Sequence, residues 1–225
     1  SYFDLFGNYA SLTAFSGDPL VLLTVASLII LGGLGFSVIL ETARNRQGFR
    51  NLSLHTRIVL MTTLVLLLAG TVFYWIVERT NAETLAGCSE GEKILNAFFQ
   101  SVTMRTAGFN SFDLSGFRDG SKLFSSLLMI IGASPASTGG GIKTTTIAAL
   151  TLLMLSVVRG ESEVNVARRR LSDDISRRAL AVAVLFLTTL LTGTLIISLI
   201  ENGRFPLEDI LFEASSAMGT VGVSA

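Results

Sequence analysis

The sequence predicts an all-α integral membrane protein assembled from repeated units, each a helix, a short re-entrant loop and a second helix. Three observations carry that expectation. Half of the 225 residues are hydrophobic, and several apolar runs approach the ~20 residues that a helix needs to cross a bilayer. The polar connections between those runs alternate between basic and acidic. The chain also repeats itself. Ala97–Asn110 (AFFQSVTMRTAGFN) slides by 114 positions onto Leu211–Ser224 (LFEASSAMGTVGVS), which sets Phe98 on Phe212, Ser101 on Ser215, Met104 on Met218, Thr106 on Thr220 and Gly108 on Gly222.

In chain order, Pro19–Leu40 is a 22-residue apolar run interrupted only by glycines and small polar residues. At 1.5 Å per residue it would reach about 33 Å, enough to cross. Its cluster Gly32-Gly33-x-Gly35 is expected to let neighbouring helices approach closely in lipid. A dinucleotide fingerprint would need a strand before it and an amphipathic helix after it, and neither is there. The first residues lack the basic-then-apolar layout of a signal peptide. Phe3-Asp4-Leu5 matches Phe112-Asp113-Leu114 and aligns Ser1 with Asn110. The expectation is a piece of a longer polytopic protein, running from just after one such loop to just after another at Ala225.

Glu41–Arg57 carries Arg44, Arg46, Arg50 and Arg57 against one acid, and Ile58–Val77 then crosses back. Glu78–Lys93 is acidic, with Glu78, Glu83, Glu90 and Glu92 against Arg79 and Lys93. Arg159–Arg178 is basic again, with Arg159, Arg168, Arg169, Arg170, Arg177 and Arg178 against four acids. Ala179–Ile200 crosses once more, and Glu201–Glu213 is acidic. Ten of the 17 basic residues thus fall in the two connections that this path places on one face. The positive-inside rule makes that face cytoplasmic, so the loops are entered from outside. His55 and the Arg168–Arg170 run read as interfacial or solvated. A net charge of zero leaves no nucleic-acid footprint, and Cys88, being alone, forms no internal disulfide.

Both repeated stretches end in Thr-x-Gly. A ring of backbone carbonyls can replace the hydration shell of a potassium ion, threonine can add its hydroxyl, and glycine permits the torsions that turn consecutive carbonyls inward. Irregular backbone at membrane depth is tolerated only where it lines a water-filled cavity or is buried in protein. Thr106, Ala107, Gly108, Phe109 and Thr220, Val221, Gly222, Val223 are therefore the expected ion-binding filter, with potassium at Thr106, Gly108, Thr220 and Gly222. One copy alone would read as an ordinary interfacial turn; two aligned copies, each behind a short helix, favour a pore. By analogy with tetrameric channels, the units are expected around a pseudo-fourfold axis.

The second feature is Gly132–Thr146, GASPASTGGGIKTTT. The enclosing stretch Ser121–Val158 would make a helix of about 57 Å against a crossing of roughly 30 Å. Pro135 and Gly139-Gly140-Gly141 break it. Two shorter helices are expected, with an unwound polar segment between them near mid-membrane and beneath the filter. Pro135, Ser137, Thr138, Gly139, Gly140, Gly141 and Lys143 form the expected gating loop, Lys143 as a buried cation of functional weight. A phosphate-binding P-loop is excluded, because an isoleucine separates glycine from lysine and no strand precedes. Arg105, Asp113, Arg118 and Asp119 are placed at the outer mouth, outside the site.

Three motifs, TAGFNSFDLS at Thr106–Ser115, ASPASTGGGIKTTT at Ala133–Thr146 and GTVGVS at Gly219–Ser224, resemble the Trk/Ktr/HKT superfamily of potassium transporters, and within it the sodium-dependent bacterial Ktr-type membrane subunit. The resemblance implies four helix–pore loop–helix repeats in one polypeptide. The chain would then hold the end of repeat two (1–40), a cytoplasmic connection (41–57), repeat three (58–158), a cytoplasmic linker (159–178) and the first half of repeat four (179–225). Gly108 and Gly222 become the third and fourth filter glycines, and Gly132–Thr146 the intramembrane gating loop. It further implies a multi-pass cell (inner) membrane protein, surrounded by lipid, homodimeric and regulated by a cytosolic nucleotide-binding ring on the basic face, with no nucleic-acid partner. Potassium is the transported ion, and coupling to sodium stays open.

The expected function is potassium uptake through the filter, gated by the loop. The alternative is a secondary transporter whose broken helices bind a small solute at mid-membrane; loops repeated in the same orientation count against it. A membrane enzyme is the weakest reading, because the sole histidine lies at an interface and no acid–base pair is expected inside a helix.

Overall fold

A computed structural model describes residues 11–45, 48–160, 165–166, 169–170 and 173–224. They form eight α-helices: α1 (Pro19–Leu34), α2 (Phe36–Arg44), α3 (Leu54–Glu78), α4 (Glu90–Thr103), α5 (Asp119–Ile130), α6 (Thr144–Val158), α7 (Asp173–Glu201) and α8 (Leu207–Met218). The fold is all-α. A ladder pairing Asn165–Val166 with Arg169–Arg170 in the basic linker, and an isolated bridge between Ile131 and Ile142, are the β structure among the described residues. Arg46, Arg168 and the N-terminal match at Ser1 and Phe3–Leu5 lie outside the described residues.

Among the described residues α3 and, from Ser176, α7 are long and apolar enough to cross a membrane. The side chain of Ser53 caps α3 by accepting the Thr56 N–H. The α4 start is closed by a capping box, in which Ser89 and Glu92 satisfy each other's backbone N–H groups. With 14 and 12 residues, α4 and α8 reach only about 21 and 18 Å, so they enter the interior without crossing it.

The run Pro19–Leu40 is not the single crossing helix that its hydropathy suggests. It breaks at Gly35, and α1 and α2 meet at a bend of 100°. Gly35 has φ +86° and ψ 145°, a region that is essentially closed to side chains, and the Pro135 carbonyl packs against its Cα where a Cβ would stand. The Phe36 N–H released by the break donates to the Ala136 carbonyl at 3.3 Å. Gly33 likewise accepts the Ser134 N–H at 3.0 Å. The glycine cluster thus packs closely, but against a loop and not against a neighbouring helix.

The stretch after Ser121 does divide as expected, into α5 and α6 with residues 131–143 between them. Two clusters hold the helices together. Leu22 and Ala26 of α1 pack with Leu67 of α3 and with Phe99 and Val102 of α4. Tyr74 of α3 packs with Met104, Leu128, Met129 and Phe212, and its hydroxyl bonds Ser125 Oγ at 2.7 Å. Gly70 lets α4 lie directly on α3, where Ser101 Oγ donates to the Leu67 carbonyl at 2.9 Å.

Charged groups are also built into this packing, contrary to the expectation that no acid–base pair sits within the helices. Lys122 of α5 pairs with Asp209 of α8 at 2.5 Å, both side chains largely covered. Glu78, fully buried at the end of α3, accepts from Asn81 and Thr84 at 2.7 Å each, from the Arg118 N–H at 3.3 Å, and from Ser121 Oγ. A buried carboxylate is tolerable when its lone pairs are filled in this way.

The α3–α4 contact gives a direct test. In a free helix Gly70→Ala would be favourable by about 1 kcal/mol. Here the new methyl overlaps Ser101 Oγ and stands 2.9 Å from Ser101 Cβ, an overpacking worth roughly 1–3 kcal/mol. Gly70→Ala should lower the thermal midpoint of the intact protein in detergent, and adding Ser101→Gly should restore it.

Candidate functional site

The ends of α4 and α8 bring the two repeated loops together. The Val221 carbonyl packs on Gly108, at the place where a Cβ would stand. Their backbones share one unusual pattern. Thr106 and Thr220 have φ of +74° and +56°, and Gly108 and Gly222 have φ of +79° and +86°. Left-handed backbone is a genuine outlier for a β-branched residue and costs on the order of 1–3 kcal/mol. It recurs at the same 114-residue offset that the sequence repeat shows. Alternating positive and negative φ through Thr-Ala-Gly and Thr-Val-Gly lets successive carbonyls face one way, instead of opposite ways as in a strand.

A hydroxyl clamps each loop. Thr103 Oγ1 donates to the Phe109 carbonyl and accepts its N–H, both at 2.8 Å. Ser216 Oγ donates to the Val223 carbonyl at 2.6 Å and accepts the Gly222 N–H at 3.2 Å. The repeat points instead to Ser101 and Ser215, because the clamping hydroxyls occupy non-equivalent helix positions: Thr103 aligns with Ala217, and Ser216 with Val102. Both helices direct their C-terminal ends at the loops, where the partial negative charge of the peptide dipoles favours a cation.

The segment between α5 and α6 lies against both loops. Methyl groups built on Gly139 and Gly140 would strike Thr106 Oγ1 and Thr220 Oγ1 respectively. Gly132 donates to the Ile142 carbonyl at 3.0 Å, and Ile142 to the Ile130 carbonyl at 2.9 Å. Thr144 Oγ1 bonds Ser134 Oγ at 3.1 Å, and Ser137 Oγ donates to the Ser134 carbonyl at 2.5 Å. Gly141 turns at φ +70°. Lys143 is half-buried rather than buried, and its Nζ donates to the Gly139 carbonyl at 2.6 Å. Pro135 faces Gly35, and the exposed Thr138 faces Gly32. All seven expected loop residues stand on one bonded segment, which meets the two Thr-x-Gly loops at Gly139 and Gly140.

Arg105 is not at the outer mouth. It is 8% exposed, with Nε buried and unpartnered among the described residues, in a cavity of about 390 Å³ between α1, the first loop and Thr138. The reason is the direction of α4: its C-terminal residues are the deepest, so the residue before Thr106 points inward. Arg118, in contrast, reaches Thr80 at 3.0 Å from an exposed position. Among the described residues no group of three His, Cys, Asp or Glu could hold a metal ion. The donors at the site are carbonyl and hydroxyl oxygens, which suit a hard cation bound weakly enough to leave.

A family model described as "TrkH: Cation transport protein" matches residues 3–225. The Ktr system potassium uptake protein B of Vibrio alginolyticus is 41% identical over 224 residues, which is 99% of this chain and 48% of that protein. Its namesake in Bacillus subtilis (strain 168) is 39% identical over 95% of this chain and 47% of its own length. The potassium/sodium uptake protein NtpJ of Enterococcus hirae is 33% identical over 99% of this chain and 49% of its own. The chain spans about half the length of these relatives. The crystal structure of the potassium transporter TrkH from Vibrio parahaemolyticus shares the fold, with a TM-score of 0.65 at 16% identity over 97% of this chain and 49% of that one.

The clamps can be tested apart from any activity. Thr103→Val leaves the Phe109 N–H and carbonyl unpaired, a loss of roughly 1–3 kcal/mol when such groups are buried. Amide exchange around Phe109 in the intact protein should accelerate accordingly, while exchange in α7 stays as it was.

Proposed function

Because this chain belongs to the TrkH family of cation transport proteins, we propose that it carries two filter loops and the gating loop of a potassium-uptake pore. The observation that supports this most is the pair of Thr-x-Gly loops with matching left-handed torsions, in contact with each other and with Gly139 and Gly140 beneath their threonines. In this reading Thr106, Ala107, Gly108, Phe109 and Thr220, Val221, Gly222, Val223 supply the oxygens, and potassium is held at Thr106, Gly108, Thr220 and Gly222. The strained backbone is held in register before the ion arrives, so little reorganisation opposes dehydration.

Residues 131–143 obstruct the path, and the Lys143 bond to the Gly139 carbonyl keeps them in place. Three successive glycines give the segment the torsional freedom to move aside. Pro135, Ser137, Thr138 and the glycines with Lys143 are the gating loop. The repeat boundaries at 58–158 and 179–225 are part of the same reading. So are a multi-pass position in the cell membrane with the basic connections cytoplasmic, a homodimer, and a cytosolic regulatory ring. The relatives are named for potassium uptake, NtpJ also for sodium. Those names favour the pore over a broken-helix solute carrier and over an enzyme, and they leave sodium as the second ion to test.

In the full-length protein Gly108→Ser should reduce the potassium-to-sodium uptake ratio by roughly tenfold, the equivalent of about 1.4 kcal/mol of ion discrimination. An unchanged ratio would count against the filter. Removing Gly139–Gly141 should raise potassium flux at saturating substrate, with Lys143→Gln giving a smaller rise of the same sign. Radiotracer uptake into vesicles distinguishes both from a pore that stays shut.

A further inference from the structure

Between α3 and α6 lies a groove lined by none of the residues of the two Thr-x-Gly loops or of the segment 131–143. Its volume is about 510 Å³, and its walls are apolar apart from Arg57 at one end and the hydroxyls of Thr62 and Thr151. Along α3 it follows the twelve-residue step from Leu54 to Leu66, about 18 Å of helix. One leaflet of hydrocarbon is about 15 Å deep, half of a core of roughly 30 Å. Met61 and Val65 stand open on the same face of α3, 54% and 58% exposed. The groove therefore has the length and lining of one extended acyl chain.

Its charged end is equally specific. Arg57 sits in the first turn of α3, where the basic connection meets the apolar helix. Its guanidinium lies 5.8 Å over the Phe49 ring, a contact that orients the fork without neutralising it. Among the described residues no carboxylate comes within ion-pair distance of it. A planar guanidinium matches the paired oxygens of a phosphate. A zwitterionic headgroup would bring an ammonium beside that cation, whereas an anionic one adds no repulsion.

We propose that this groove binds one anionic glycerophospholipid from the leaflet on the basic side of the protein. One acyl chain lies along α3 and α6, and the phosphate accepts hydrogen bonds from Arg57. Anionic lipid is enriched in attraction to basic segments at membrane surfaces, and here the apolar groove turns that general attraction into a site.

The test uses the intact full-length protein, in detergent titrated with phosphatidylglycerol or phosphatidylcholine, with bound lipid counted by native mass spectrometry. Arg57→Gln should weaken phosphatidylglycerol binding roughly fivefold, the value of one arginine at a membrane surface, and phosphatidylcholine binding by less. Arg57→Lys should keep most of the affinity. Ala148→Phe, which fills the groove, should reduce binding of both lipids, and Thr151→Phe serves if that variant does not fold. Equal phosphatidylglycerol binding by wild type and Arg57→Gln overturns the proposal. So does a density map of the full-length protein with a helix of its own chain, or of a second copy, seated in the groove.

Discussion

Non-helical backbone inside a membrane must have every N–H and carbonyl answered by protein or by an enclosed polar cavity, because lipid answers none of them. Three stretches of this chain meet that demand together: the loop after α4, the loop after α8 and residues 131–143. Thr103 and Ser216 each serve a donor and an acceptor of the loop beyond their own helix. Gly33 and the freed Phe36 N–H serve residues 134 and 136. None of the three stretches would be tolerable alone. The break in α1, which looks like a defect in a spanning helix, supplies the partner that the loop after α5 needs.

The same constraint explains where the small residues stand. A helix can be packed by large side chains, but two irregular backbones in contact leave no room for a Cβ. Gly108 lies on the Val221 carbonyl, Gly35 on the Pro135 carbonyl, and Gly132 on the Gly140 carbonyl. In each pair one strand of backbone lends a hydrogen atom's width to the other. Met104, Phe212 and Val221 are packed in the apolar cluster beside the contact, while the meeting point of the loops itself is backbone on backbone.

Much of this was legible in the chain itself. The 114-residue repeat located both loops, and the length of Ser121–Val158 required a break where Pro135 and the glycines supply one. What the sequence could not show followed from orientation. Arg105 looked like a mouth residue because it precedes a Thr-x-Gly loop, yet α4 runs inward and buries it. The run Pro19–Leu40 looked continuous because hydropathy carries no record of the torsion at Gly35. The clamping hydroxyls escaped the repeat because Thr103 and Ser216 reach equivalent carbonyls, those of Phe109 and Val223, from different helix positions. The Lys122–Asp209 pair joins residues 87 positions apart, and only the packing of α5 on α8 brings them together.

These contacts also leave the chain with one continuous path of bonded elements from its basic face to the loops. Ser53 Oγ donates to Glu41 at 2.7 Å and Thr56 Oγ1 donates to the same carboxylate at 2.5 Å, tying α2 to the start of α3. At its other end α2 begins with the Phe36 N–H on the Ala136 carbonyl. Residues 137–140 then run from that point to the underside of Thr106 and Thr220. Gly35, turned at φ +86° under the Pro135 carbonyl, and the glycines at 139–141 let that path run through close contacts, which makes the bend between α1 and α2 part of the loop's packing as well as of its hydrogen bonding.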